Sequence, residues 1–179
     1  MKSDESKEII AVVDENDKII GKATRGEVHK KGLLHREVAV LIINQDDEIL
    51  IQTRSNNGKL DYSAAGHPFY NETYLEAAVR EVKEELGLEI DKSDFIKLFK
   101  HRIFTMHKDK INNRFVTVFK IQGDYKIKDI NIDPAEVEKV RYYPPRELQS
   151  IMINEHDKMT NGLYNSLEIY FKTKNQKST

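Results

Sequence analysis

The sequence predicts an α/β (α+β) fold, and three observations carry that expectation. Residues 38–43 (VAVLII) form a near-continuous apolar run, as expected for a strand covered on both faces. Several shorter β-rich segments bounded by polar turns surround it. Residues 73–86 contain no Gly or Pro, are rich in helix formers, and end at Gly87, which supplies a helix stop.

Along the chain, residues 8–14 read as a strand, 15–17 as a turn and 18–22 as the hairpin partner. Residues 24–32 read as a linking segment. After the apolar run, residues 45–47 turn the chain into a strand over 48–54, and a polar loop at 55–59 leads to Asp61-Tyr62-Ser63-Ala64-Ala65. Beyond the helix, residues 95–106 and 114–121 read as strands flanking a polar loop at 107–113, and 138–143 as a last strand. Pro144-Pro145 start a short helix through Ile151, and a final helix covers residues 162–172. The polar ends, 1–7 and 173–179, read as flexible tails. There is no repeat and no long linker, so residues 1–179 read as one domain, long enough for a sizeable core.

Composition excludes several function classes. A formal net charge of −1 gives no electrostatic footprint for duplex nucleic acid or an anionic membrane. The first eight residues are too polar for a signal peptide, and no apolar run approaches a membrane span. With no cysteine, disulfides, thiolate metal sites and Cys nucleophiles are ruled out together, and a cytoplasmic location is the expectation.

The chemistry concentrates in residues 66–88. Gly66 is followed by Glu72 after five residues, by Arg80-Glu81 after seven more, then by Glu84-Glu85 and Gly87-Leu88. On a helix turning about 100° per residue, Leu75, Ala78, Val79, Val82 and Leu86 share one arc, and Glu81, Glu84 and Glu85 gather opposite. A charge run of this kind is usually a solvated face. Three carboxylates at such density repel one another, however, and a hard divalent cation with oxygen ligands removes the cost; Mg²⁺ fits. Arg80 lies beside Glu84 on the wheel and can hold it. The glycine turn before the helix can add a backbone carbonyl, that of Ala65 being the candidate.

This spacing resembles the Nudix box, GX5EX7REUXEEXGU with U a bulky aliphatic, and every specified position is filled. With residue usage near ~5–10% each, seven fixed matches arise by chance at about 10⁻⁸ per start position, so coincidence is set aside. The resemblance implies the Nudix fold, a mixed β-sheet sandwiched between helices, here with an N-terminal β-hairpin extension. It implies Mg²⁺-dependent hydrolysis (Mn²⁺ as substitute) of a small-molecule diphosphate. Glu81 and Glu85 would be direct ligands, Glu84 a third ligand or the base, and Glu72 a support for the loop or a second ion. Glu136, before the last strand, is the candidate for a base outside the box, with a solvent-facing loop charge as the plain alternative. Superfamily members often dimerise, so a homodimer is possible.

A weaker resemblance over residues 8–88 is to the isopentenyl diphosphate isomerase-like branch, carried by Val28-His29, Leu34-His35-Arg36 and Ser63-Ala64-Ala65-Gly66-His67-Pro68. Those isomerases place a Cys where this chain has Ala65, and two glutamates that fall on Asn112 and Arg114 when the strands are aligned on Phe119. Residues 111–122 contain no acid at all. Without thiol or carboxylate, carbon protonation lacks its machinery, which favours the hydrolase over the isomerase. A binding-only regulator is the third reading, disfavoured because all three box carboxylates are retained. The branch resemblance matches His29, His35 and His67 to imidazoles that hold a separate metal; Zn²⁺ or Mn²⁺ would suit them. For His29 and His35 a structural role is expected, and His67 abuts the site, where it can contact substrate. Arg54 can meet a phosphate or pair with Asp61. Tyr62, Phe69 and Tyr70 can stack on a base or simply pack. Substrate identity stays open, from nucleoside diphosphate sugars, dinucleoside polyphosphates, ADP-ribose, NADH, CoA or oxidised nucleotides to an isoprenoid diphosphate.

Overall fold

A computed structural model describes residues 5–107 and 110–176. Its strands are β1 (Ile9–Val13), β2 (Ile19–Thr24), β3 (His35–Ile43), β4 (Ile49–Arg54), β5 (Leu60–Asp61), β6 (Ala64–Gly66), β7 (Ile96–His107), β8 (Lys110–Gln122) and β9 (Val137–Tyr143). Its α-helices are α1 (Arg25–Lys31), α2 (Tyr74–Leu86), α3 (Pro145–Asn154) and α4 (Asn161–Gln176). The result is a mixed sheet flanked by helices, with β1 and β2 forming the expected N-terminal hairpin.

β3 organises the sheet. It runs parallel to β8 from His35↔Arg114 to Ile43↔Gln122 and antiparallel to β1, β4 and β6. β9 joins β4 on the far side and β7 lies outside β8. The apolar run is buried on both faces because each parity meets a different layer. Val38, Val40 and Ile42 pack with Ala78, Val82 and Leu86 of α2. Ala39, Leu41 and Ile43 pack with Leu148 of α3 and Leu163, Leu167 and Phe171 of α4. Each such aliphatic contributes about 1.5–3 kcal/mol. At the opening end of β3 the same parity turns polar, at His35 and Glu37, both buried. The apolar layer gives way there to a cavity.

Several elements differ from the sequence expectation. The linking segment is helix α1: Thr24 caps it by accepting from Glu27 N (3.2 Å), and Gly32 ends it at φ 67°. β8 begins at Lys110, so the polar residues 110–113 are strand, paired with residues 104–107 of β7. α3 and α4 extend past their expected ends. Of the expected tails, Glu5–Lys7 is a 3₁₀ turn fastened through the Glu5–Arg25 ion pair (2.6 Å), and α4 continues to Gln176. Residues 1–4 and 177–179 lie outside the described residues.

Candidate active site

α2 starts at a capping box: Thr73 Oγ1 accepts from Glu76 N (3.2 Å) while Glu76 Oε2 accepts from Thr73 N (2.9 Å). Gly87 closes it at φ 65°. Between these caps the carboxylates do not form the solvated opposite face that the helical wheel gives. Glu81 is 8% exposed and Glu85 2%, whereas Leu75 and Val79 are only half-buried. The row Ala77, Glu81, Glu85 borders the core row Ala78, Val82, Leu86, and β6 packs over it. Its contact is possible because position 66 has no side chain: a Cβ there would lie 1.9 Å from Glu81 Oε1.

Burial sets the electrostatics. It pushes Glu81 up to about 8, against the opposing pull of Arg80. It raises Glu85 well above the ordinary carboxylate range, and the charges of Glu81 and Glu136 add to the shift. Glu84 stays exposed. Glu85 Oε2 accepts from Gln52 Nε2 (3.1 Å) and from Ala65 N (3.2 Å).

Arg80 ties the cluster together. It meets both oxygens of Glu72 at 2.9 Å, Glu81 at 2.7 Å, Glu84 at 3.1 Å and the His67 carbonyl at 3.1 Å, and it lies 4.1 Å from the Phe69 ring centroid. Glu72 also accepts from Phe69 N (2.9 Å). Both oxygens of Glu72 are thus engaged, by Arg80 and by Phe69 N. Glu136, half-buried just before β9, lines the same small hollow as Arg80, Glu81 and Glu84.

Along Ala65 and Gly66 this hollow adjoins a cavity of about 840 Å³. Arg25, Lys30, Arg54, Lys110 and Arg114 line that cavity and outnumber its carboxylates, Glu5, Glu37 and Asp61. Arg54 Nη1 meets Asp61 at 2.7 Å, and Arg114 Nε meets the buried Glu37 at 2.9 Å. Tyr62 is 1% exposed with its hydroxyl on Ser166 (2.6 Å), so it offers no free face for stacking. Phe69 and Tyr70 face Arg80 and Lys22 respectively.

The three histidines converge. Ring centroids stand 4.9, 5.3 and 5.2 Å apart, and one nitrogen from each lies within 4.8 Å of the others. His35 Nδ1 donates to the Leu33 carbonyl (2.8 Å), which leaves Nε2 as a lone pair. His29 Nδ1, His35 Nε2 and both nitrogens of His67 have no hydrogen-bond partner among the described residues. Burial lowers His29 to about 4 and His35 to about 3, and it holds His67 well below its ordinary value. Three neutral imidazoles with free lone pairs can hold a metal ion such as Zn²⁺ or Mn²⁺.

Gln52, Glu37, Arg25 and Arg114 also belong to the site, although their residue types alone do not announce it. The signal for Gln52 and Glu37 is a polar residue at a core parity of an apolar strand. No helix among the described residues is long and apolar enough to cross a membrane.

Residues 33–163 match the NUDIX domain family. Human isopentenyl-diphosphate delta-isomerase 2 is 31% identical over 172 residues, covering 83% of this chain and 74% of that protein. The uncharacterized Nudix hydrolase lmo0368 of Listeria monocytogenes is 32% identical over 146 residues, covering 78% and 82%. Among solved structures, DR0079 from Deinococcus radiodurans superposes with a TM-score of 0.68 at 22% identity, covering 90% of this chain and 97% of that one, a likeness of fold.

Proposed function

This chain belongs to the NUDIX domain family, and from that premise we propose that it is a divalent-metal-dependent hydrolase of a small-molecule diphosphate. One observation carries the proposal: Glu81 and Glu85 are buried side by side, with Glu84 and Glu136 close by and Arg80 paired to Glu81 and Glu84. Burying like-charged carboxylates is costly unless a cation shares the site. All-oxygen donors of this kind suit Mg²⁺, with Mn²⁺ as a substitute.

In this reading Glu81, Glu84 and Glu85 hold the ion, together with the Ala65 carbonyl. When bound, the metal neutralises phosphate oxygens and acidifies a water. Arg54 binds a phosphate on the cavity side, and His67 at the junction of the two hollows contacts the substrate. Glu136 orients the attacking water and takes its proton. Arg80 keeps Glu81 and Glu84 in position. The cavity, about 840 Å³ and lined by more cations than carboxylates, suits a substrate of nucleotide size with its diphosphate toward α2.

A phosphate-release screen over a diphosphate library, with Mg²⁺ or Mn²⁺ and a coupled phosphatase, tests this reading. Metal-dependent cleavage of one compound class, lost in Glu85→Gln, supports it; cleavage that survives Glu85→Gln refutes the ligand assignment.

A second reading is favoured by the converged histidines: turnover of an isoprenoid diphosphate, as the name of the human relative indicates for that protein. Ala65 in place of a thiol weighs against it. A product assay on isopentenyl diphosphate separates the two.

A further inference from the structure

Gln52 follows the apolar stretch Ile49-Leu50-Ile51 of β4 yet stays in the interior. It follows Leu50 at the parity that faces α2, and it is 2% exposed. Its Nε2 donates to Glu85 Oε2 across 33 residues of sequence at 3.1 Å, while its own Oε1 is buried with no hydrogen-bond partner among the described residues. A glutamine serving only to fill space leaves that acceptor stranded for no return, since a methionine of similar size fills the position without a polar atom.

We propose that Gln52 is a positioning residue for Glu85. Its amide and the Ala65 N–H both bind Oε2, the one from β4 and the other from β6, so the carboxylate is gripped from two strands. That grip fixes its rotation and leaves Oε1 as the oxygen that would meet a metal. Gln52 also fixes polarity: its N–H requires an acceptor, which Glu85 Oε2 supplies. The stranded Oε1 of Gln52 follows from this orientation, because turning the amide over would set two oxygens against each other. The inference rests on the proposed metal-binding role of Glu85.

The test uses the full chain and Mn²⁺ as probe, with free Mn²⁺ counted by electron paramagnetic resonance in the absence of substrate. Glu85→Gln defines which binding belongs to the carboxylates rather than to the three histidines. Gln52→Met is expected to weaken that class by about tenfold or more, the usual cost of removing a partner that orients a ligand. It should lower kcat with little change in substrate KM, and leave the metal-free protein melting within a few degrees of wild type. Gln52→Leu serves if the methionine variant does not fold. Unchanged Mn²⁺ affinity and kcat in a folded Gln52 variant, with affinity lost in Glu85→Gln, overturns the role of Gln52 alone. Unchanged affinity in Glu85→Gln overturns the metal assignment and this inference with it.

Discussion

Gly66 and Glu81 occupy one another's space: a Cβ on the glycine would stand 1.9 Å from the glutamate's Oε1 and 2.2 Å from its Cδ. The glycine that opens the motif therefore acts through the carboxylate fifteen positions later. Gly66→Ala must displace either Glu81 or β6 by an ångström or more. Because misplacing a catalytic group by that much costs on the order of 10²-fold, kcat/KM is expected to fall by about that factor. Kinetics on the folded variant, with circular dichroism to confirm the fold, check it; activity within threefold of wild type would mean that Glu81 has no fixed duty.

Arg80→Lys tests whether the guanidinium fork, rather than its charge, organises the site. One ammonium cannot meet Glu72 twice, Glu81, Glu84 and the His67 carbonyl together. The expected result is a fall in kcat of about 10- to 100-fold. Metal titrations should show a weaker site as Glu81 and Glu84 lose their shared anchor. A variant with full activity would reduce Arg80 to a neutralising charge.

The motif helix and the outline of the sheet were legible in the sequence because they depend on short-range spacing. Caps at Thr73 and Gly87, the two parities of β3 and the E-x-x-E-E spacing all act within a few residues. The burial of Glu81 and Glu85 was not legible. A helical wheel knows only its own apolar arc, whereas burial here comes from β6 lying close over a side-chain-free position. The histidine cluster was legible only through the branch resemblance, not from spacing, for a related reason. Its members lie on α1, on the first residue of β3 and in the loop after β6, so it exists only once residues 25–31 are a helix. The Thr24 cap and the Gly32 stop that make that helix are present in the sequence, but seven residues are too few to show periodicity.

Asp17 sets an acid limit on stability well away from the candidate site. Its carboxylate takes Arg36 Nε at 2.7 Å, Lys100 Nζ at 2.8 Å and the Tyr74 hydroxyl at 3.1 Å, so one turn residue ties the hairpin to β3, β7 and α2. Burial alone would raise its pKa, but the hydrogen bonds from Lys100 and Arg36 outweigh that and hold it below 3.8. With a depressed folded value, the unfolded chain binds the proton first. The stabilisation is complete above about pH 4 and is lost as pH falls through the folded pKa. Asp17→Asn should cost about 1.5–3 kcal/mol at neutral pH, the range for hydrogen bonds to a charged group. The gap between variant and wild type should narrow below pH 4. Urea melts across pH 3–7 check this, and a gap that widens toward acid would reverse the assignment.

The two candidate metal sites should separate by mutation. Burial keeps the imidazoles of His29, His35 and His67 neutral at pH 7, so they can accept a metal without first releasing protons. The carboxylate hollow and the cavity that His29 and His67 line meet along Glu5, Arg25, Ala65 and Gly66. His29→Ala combined with His35→Ala is expected to abolish stoichiometric Zn²⁺ or Mn²⁺ content by elemental analysis. Mg²⁺-dependent phosphate release should stay within about threefold, because neither imidazole touches the Glu81–Glu85 row in this reading. If hydrolysis collapses together with the bound metal, the histidines act in the reaction itself, and the isoprenoid reading gains the weight that the hydrolase reading loses.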